Sequence, residues 1–280
     1  MALDDPLAPD DRALALVSRY GAGERPENLL WNDTIARLLA HRSVRAYRPD
    51  PLPDGTIETL VAAGQSAASS SNLQLWSVVA VTEPEVRKSL ALLAGGQQHI
   101  IDAPLILLWI ADLARPNAIA ERAQAPAEGF TFLESFVVAA VDAALAAQNA
   151  VIAAESLGLG TVYIGALRNR PEEVAALVGL PPNAAVAFGL VVGWPDPERP
   201  AAVKPRLPQA AVLHHERYVA GVQQAAIESY DKTSRIFQQS QGQPAVGWIA
   251  QILQRGASAA ALNGRDRLGA ALKALGFGLR

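Results

Sequence analysis

No cysteine occurs anywhere in the 280 residues, which excludes disulfide staples, thiolate metal sites, a cysteine nucleophile and a redox dithiol. Redox chemistry would need a bound cofactor. Charge is scarce as well. Asp, Glu, Lys and Arg make up 18% of the chain and the net charge is -3, so no overall basic field exists to draw in a nucleic acid backbone. Any basic cluster must serve something small and local. Met1 to Asp11 carries four aspartates and no cation, unlike the positive start of a secretory leader, and a cytoplasmic protein is expected. The longest apolar stretch, Phe136 to Leu157, approaches the length of a bilayer span but contains Asp142, Gln148, Asn149 and Glu155. It is expected to be a buried core helix and not a membrane segment. Half of the chain is hydrophobic, enough for the core of one large domain or two small ones.

Residues 1–30 are rich in Pro, Asp and Gly and predict an N-terminal extension, a loosely attached arm. The body begins near Trp31. Asp33 is a candidate N-cap for a helix over Thr34–Ala40, and a second helix is expected over Gly55–Ala67. Leu75–Thr82 is rich in β-branched residues and predicts a strand. Pro84 and Gly95 bracket a third helix. Leu105–Ala111 is too short for a core helix and predicts a buried strand. Arg115–Gly129 reads as a loop. Glu134–Leu157 is apolar almost all round, so other elements should cover it on most sides. Strands are expected at Thr161–Ile164 and Val186–Val192, with a helix opened by Pro171 between them. Helices and strands interleave without strict alternation, which favours a layered α+β fold. Beyond Tyr230 the chain turns polar and then Ala, Leu and Gly-rich, so 231–280 is expected to be a C-terminal arm that packs on a partner subunit.

The densest chemical feature is Arg37–Arg48, four arginines and His41 with no acidic residue. Within it, His41-Arg42-Ser43-Val44-Arg45 sets a hydroxyl and two guanidinium forks just after a helix, a donor set that matches phosphate oxygens. Taken alone, the cluster also fits a solvated basic face. Lys204-Pro205-Arg206-Leu207-Pro208 fixes two further cations between prolines, whose locked φ stiffens the backbone. Ser66–Gln74 is a small polar run that includes Ser69, Ser70, Ser71 and Asn72, placed between a helix and a strand. Tyr163-Ile164-Gly165 ends a short strand on a glycine that would let a planar ligand approach the main chain.

Taken in order, these segments resemble the nitroreductase superfamily, and within it the group A oxygen-insensitive nitroreductases and NADPH-dependent flavin reductases. The similarity runs from about Thr34 to Tyr230. It includes Gly95-Gly96-Gln97-Gln98-His99, the helix ending Ala147 to Gly160, and Gly193-Trp194-Pro195. The resemblance implies a nitroreductase-like layered α+β fold, with a central, mostly antiparallel sheet flanked by helices. It also implies an FMN-binding domain over 31–230 in a homodimer with FMN in two interface pockets. On that resemblance Arg42, Lys204 and Arg206 take the FMN phosphate beside His41 and Ser43, and Arg45 lies near the pyrimidine edge. Ser69, Ser70 and Ser71 make polar contacts, Gln97 bonds the ring edge, and Tyr163, Ile164 and Gly165 run along the isoalloxazine. The cofactor carries the chemistry, so no side-chain acid or base is expected. NADPH or NADH would reduce the flavin and leave, and a small-molecule acceptor (a nitroaromatic, quinone or free flavin) would take the same place. NADPH-preferring relatives grip the extra phosphate with arginines of the C-terminal arm, whereas Ser240–Ala250 here has no basic residue.

Other classes fit less well. Gly158-Leu159-Gly160 lacks the third glycine of a dinucleotide fingerprint and follows a helix instead of a strand. Gly64-Gln65-Ser66 sits on a helix end without the second glycine of a nucleophile elbow. A non-catalytic flavin store or sensor is the remaining alternative.

Overall fold

Leu105–Asp112 is apolar enough to be covered on both faces, and in the computed structural model every one of its eight residues is buried. It is the second strand of a four-stranded sheet. The structure describes residues 9–21, 23 and 25–280. In chain order it contains helices α1 (Pro9–Tyr20), α2 (Asp33–Ala40) and α3 (Thr56–Gln65), strand β1 (Trp76–Val81), then α4 (Pro84–Leu93), α5 (Gln98–Asp102), β2 (Leu105–Asp112) and α6 (Ala114–Arg122). The long helix α7 (Leu133–Ser156), β3 (Gly160–Ile164), α8 (Pro171–Leu177), β4 (Ala184–Gly193), α9 (Gln224–Ser240), α10 (Gly247–Gly256) and α11 (Leu268–Ala274) complete it. The sheet order is β1-β2-β4-β3, and all three pairings are antiparallel, so the α+β expectation holds.

The chain divides into two compact units, 43–200 with 262–280, and 1–42 with 201–261. In the first, α7 lays a face of small residues (Ala143, Ala146, Ala147, Ala150, Ala154) against Leu105, Leu107, Trp109, Leu190 and Val192 of the sheet and Leu60 of α3. Helical spacing puts these alanines in one row, and their size permits close approach. At Gly64 the approach is so tight that an added Cβ would lie 3.1 Å from the Trp109 ring and 3.2 Å from the Ala146 carbonyl. The opposite face of α7 is not covered. Leu133, Val137, Val141 and Leu145, four residues apart, are 51%, 45%, 51% and 44% exposed. This corrects the expectation of a helix enclosed on most sides.

Four further expectations are corrected. Asn32, not Asp33, caps α2: its side chain accepts the Ile35 N–H at 2.9 Å, which places Asp33 inside the first turn. Within the expected loop 115–129, residues 114–122 form α6. Pro116 falls in the first turn, where its missing N–H costs nothing, and the Asp112 side chain accepts the Arg115 N–H at 3.1 Å. The N-terminal extension is not loose over its described length, since α1 packs on α2. The boundary expected at 230/231 falls inside α9, and the chain end packs in the larger unit. There Leu272 and Phe277 join Leu75, Leu113 and Ala139, with Phe277 edge-on to Phe136 at 5.3 Å.

Candidate functional site

In the larger unit, the segment after Arg42 lies along the free edge of β3. Ser43 bridges Thr161 in parallel, and the Val44 N–H donates to the Thr161 carbonyl at 2.9 Å. The approach depends on Gly160, where a Cβ would fall 2.7 Å from Val44. Val44 and Tyr47 point inward and are buried, with the Tyr47 hydroxyl donating to the Val44 carbonyl at 2.7 Å. Burial pushes the Tyr47 phenol well up, so it stays a donor. Arg45, between them, is left exposed.

The loop between α3 and β1 has three non-glycine residues with positive φ: Ser71 at 50°, Asn72 at 55° and Gln74 at 52°. Such a backbone persists only where its surroundings hold it, and the holder is Asp142 of α7, 2% exposed. Its carboxylate accepts the Ser69 hydroxyl at 2.7 Å, the Ser70 N–H at 3.2 Å and the Leu75 N–H at 3.2 Å. Ser69 also accepts the Gln74 N–H at 2.8 Å. The Ser69 hydroxyl thus organises the loop, while Ser70 and Ser71 are its exposed members. The one sequence signal for Asp142 was a carboxylate in the middle of an otherwise apolar helix. Asp142→Ala leaves three donors without an acceptor and is expected to lower unfolding stability by about 3 kcal/mol, read from the denaturant midpoint. Asp142→Asn, which keeps one oxygen, is expected to lose less.

Gln97 follows Gly95 and Gly96, whose φ values of 83° and 78° end α4. Its amide donates to the Ala94 carbonyl at 2.9 Å. Nearby His99 is held below the ordinary histidine range, first by burial and then by the charge of Arg45. Tyr163 is partly exposed at 38%, edge-on to Phe188 at 5.3 Å, and its phenol is pushed up by burial and by Glu155. Ile164 is buried and Gly165 half-buried. The three atoms nearest to a Cβ placed at Gly165 would all belong to the Arg168 guanidinium, the closest at 3.2 Å, and that guanidinium donates to the Ala187 carbonyl.

In the smaller unit, His41 caps the C-terminus of α2, its N–H donating to the Leu38 carbonyl at 3.4 Å. Arg42 follows, exposed, with its guanidinium 3.4 Å from the Ala40 carbonyl. Lys204-Pro205-Arg206 alternates exposed, buried, exposed, which puts both cations on one side. Pro205 is anchored from behind, its carbonyl accepting the Tyr230 hydroxyl at 2.9 Å. Arg206 touches the Lys204 and Pro205 carbonyls at 3.0 and 3.4 Å. Among the described residues no carboxylate pairs with Arg42, Arg45 or Arg206. No cluster of three or more metal-ligating side chains occurs among the described residues.

The antiparallel sheet, the arginine-bearing strand edge and the cation-Pro-cation segment define a class, and the chain belongs to the nitroreductase family. The nitroreductase family model matches residues 38–194 and its C-terminal domain model residues 204–280. Among curated relatives, a Vibrio harveyi NADPH-flavin oxidoreductase is 43% identical over 74% of this chain and 82% of its own length. A Salmonella typhimurium oxygen-insensitive NADPH nitroreductase is 40% identical over 66% of this chain and 74% of its own. Among solved structures, the NADPH:FMN oxidoreductase of Vibrio harveyi complexed with NAD+ superposes with a TM-score of 0.78 at 37% identity, covering 89% of this chain and 100% of that one.

Proposed function

We propose that this chain is a cytoplasmic FMN-dependent oxidoreductase that carries reducing equivalents from NADPH or NADH to nitroaromatics, quinones or free flavin in a ping-pong cycle. The observation that carries the reading is that Arg42, Arg45 and Arg206 are exposed cations with no carboxylate partner among the described residues, Arg206 on a segment whose backbone Tyr230 holds from behind. The names of the relatives, NADPH-flavin oxidoreductase and oxygen-insensitive NADPH nitroreductase, support the same reaction class.

The donor set fits FMN. Arg42, Lys204 and Arg206 would take the phosphate, with His41 and Ser43 beside them, because guanidinium and ammonium groups form charge-assisted bonds to a dianionic ester. Ser70, Ser71 and Gln97 offer hydroxyl and amide groups to the polar edge of a ring, and Tyr163, Ile164 and Gly165 a flat main-chain wall. Arg45 contributes fixed positive charge at a site with few anions. When bound, FMN supplies the hydride and electron chemistry. The side chains bind, orient and neutralise, and none is assigned as an acid or base. The apolar stripe Leu133, Val137, Val141 and Leu145 supports a homodimer, since a monomer seldom leaves such a row open to water.

The test is the visible spectrum of the purified protein, followed while NADH and NADPH are added separately without oxygen. A yellow protein bleached by either nucleotide is the expected result, and the faster donor is then known. A colourless protein that refuses added FMN overturns the cofactor assignment. A yellow protein that neither nucleotide bleaches favours the store or sensor reading.

A further inference from the structure

Arg19 stands at the end of α1, in a stretch that precedes both family models, which begin at residues 38 and 204. It is only 5% exposed, an unusual position for a guanidinium, which is expensive to bury unless its N–H groups are satisfied. Here they are aimed at main-chain carbonyls. Nε and Nη2 donate to Leu39 at 3.0 and 2.7 Å, Nη2 also donates to His41 at 2.6 Å, and Nη1 donates to Lys204 at 2.9 Å. The carbonyl of Arg19 in turn accepts the Arg206 N–H at 2.8 Å.

We propose that Arg19 is a positioning residue for the anion site: it ties the main chain before Arg42 to the main chain on both sides of Pro205, so that the three cations Arg42, Lys204 and Arg206 are pre-arranged for one phosphate group. The inference rests on the phosphate role proposed for those cations. Leu39 lies in the last turn of α2, where carbonyls have no partner within the helix and a cation also suits the dipole. With Tyr230 on Pro205, the Lys204, Pro205 and Arg206 main chain is bonded at three successive residues. Three like charges brought together repel one another, and without a brace their segments would spread until a ligand drew them in. Arg19 moves that ordering cost from binding to folding, which is how pre-organisation raises affinity. A planar fork reaching three carbonyls is a task for arginine, since lysine presents its donors from a single point.

The experiment compares FMN with riboflavin, the same ring without the phosphate, by flavin fluorescence titration of the full-length apoprotein. Arg19→Met is expected to weaken FMN binding by about tenfold or more while leaving riboflavin affinity within twofold of the parent. Arg19→Lys, which keeps the buried charge but not the fork, is expected to fall between the two, and it decides the matter if Arg19→Met does not fold. Equal weakening of both ligands would reduce Arg19 to general support of the fold and overturn the proposal, as would unchanged FMN binding. The paired variant Arg42→Ala with Arg206→Ala separates the two ideas. If that pair loses its preference for FMN over riboflavin while the Arg19 variants keep theirs, the positioning role fails and the phosphate site stands. If the pair keeps its preference, the phosphate site itself fails.

Discussion

Arg42→Ala combined with Arg206→Ala yields a folded, colourless protein. Each guanidinium would give charge-assisted bonds to phosphate oxygens worth roughly 1.5–3 kcal/mol. Losing two of them weakens FMN by roughly a hundredfold to about twenty-thousandfold, enough for the cofactor to be lost during purification. Both side chains are exposed, and their hydrogen bonds are to nearby main-chain carbonyls of their own segments. The fold should therefore change by no more than about 0.5 kcal/mol. Absorbance at the flavin band per subunit, beside circular dichroism, checks both statements. Stoichiometric FMN retained by the double variant would sink the phosphate assignment.

Val141→Glu is expected to break the proposed homodimer and to release the flavin with it. Val141 is in the middle of the stripe that runs from Leu133 to Leu145, while the next residue, Asp142, points the other way into the Ser69–Leu75 loop. Glutamate there is accommodated by a monomer, whose surface it faces. Burying its charge without a partner in a two-fold interface costs several kcal/mol, and the symmetry imposes that cost twice. Light scattering should report the mass of one subunit. Flavin content tests whether the pocket needs the second copy. An unchanged dimer would mean that the stripe is not the interface.

Most of the framework was legible because the residues concerned leave few alternatives. Leu105–Ala111 is apolar throughout, too short for a core helix and bounded by Pro104 and Asp112, which favours a buried strand. Pro84 and Pro171 each open a helix at the position expected of them. The strand ends near Gly160 and Gly193 agree with the observed sheet. Where the reading missed, a local signal had been weighed without its neighbours. The loop expected over 115–129 becomes α6 because Asp112, at the end of β2, accepts the Arg115 N–H and starts the helix. That the Ser69 hydroxyl bonds a carboxylate 73 residues away was not legible from its own neighbours in sequence. Residues 1–30 looked loose because they are rich in proline, glycine and aspartate, yet Arg19 meets carbonyls 20, 22 and 185 residues along the chain.

Composition and pattern by themselves determined that the chain has no thiol chemistry, that it folds as α+β, and that its cations gather in a few short segments. Those properties follow from residue types and from periodicity within one element, which a chain carries before it folds. Only the tertiary structure decided that Asp142 holds the serine loop, that α7 keeps one apolar face open, and that Arg19 ties the segments bearing Arg42 and Arg206. Each of these is a contact between residues far apart in sequence. Its energy depends on distance, direction and exclusion of water, and none of the three exists until the elements have packed.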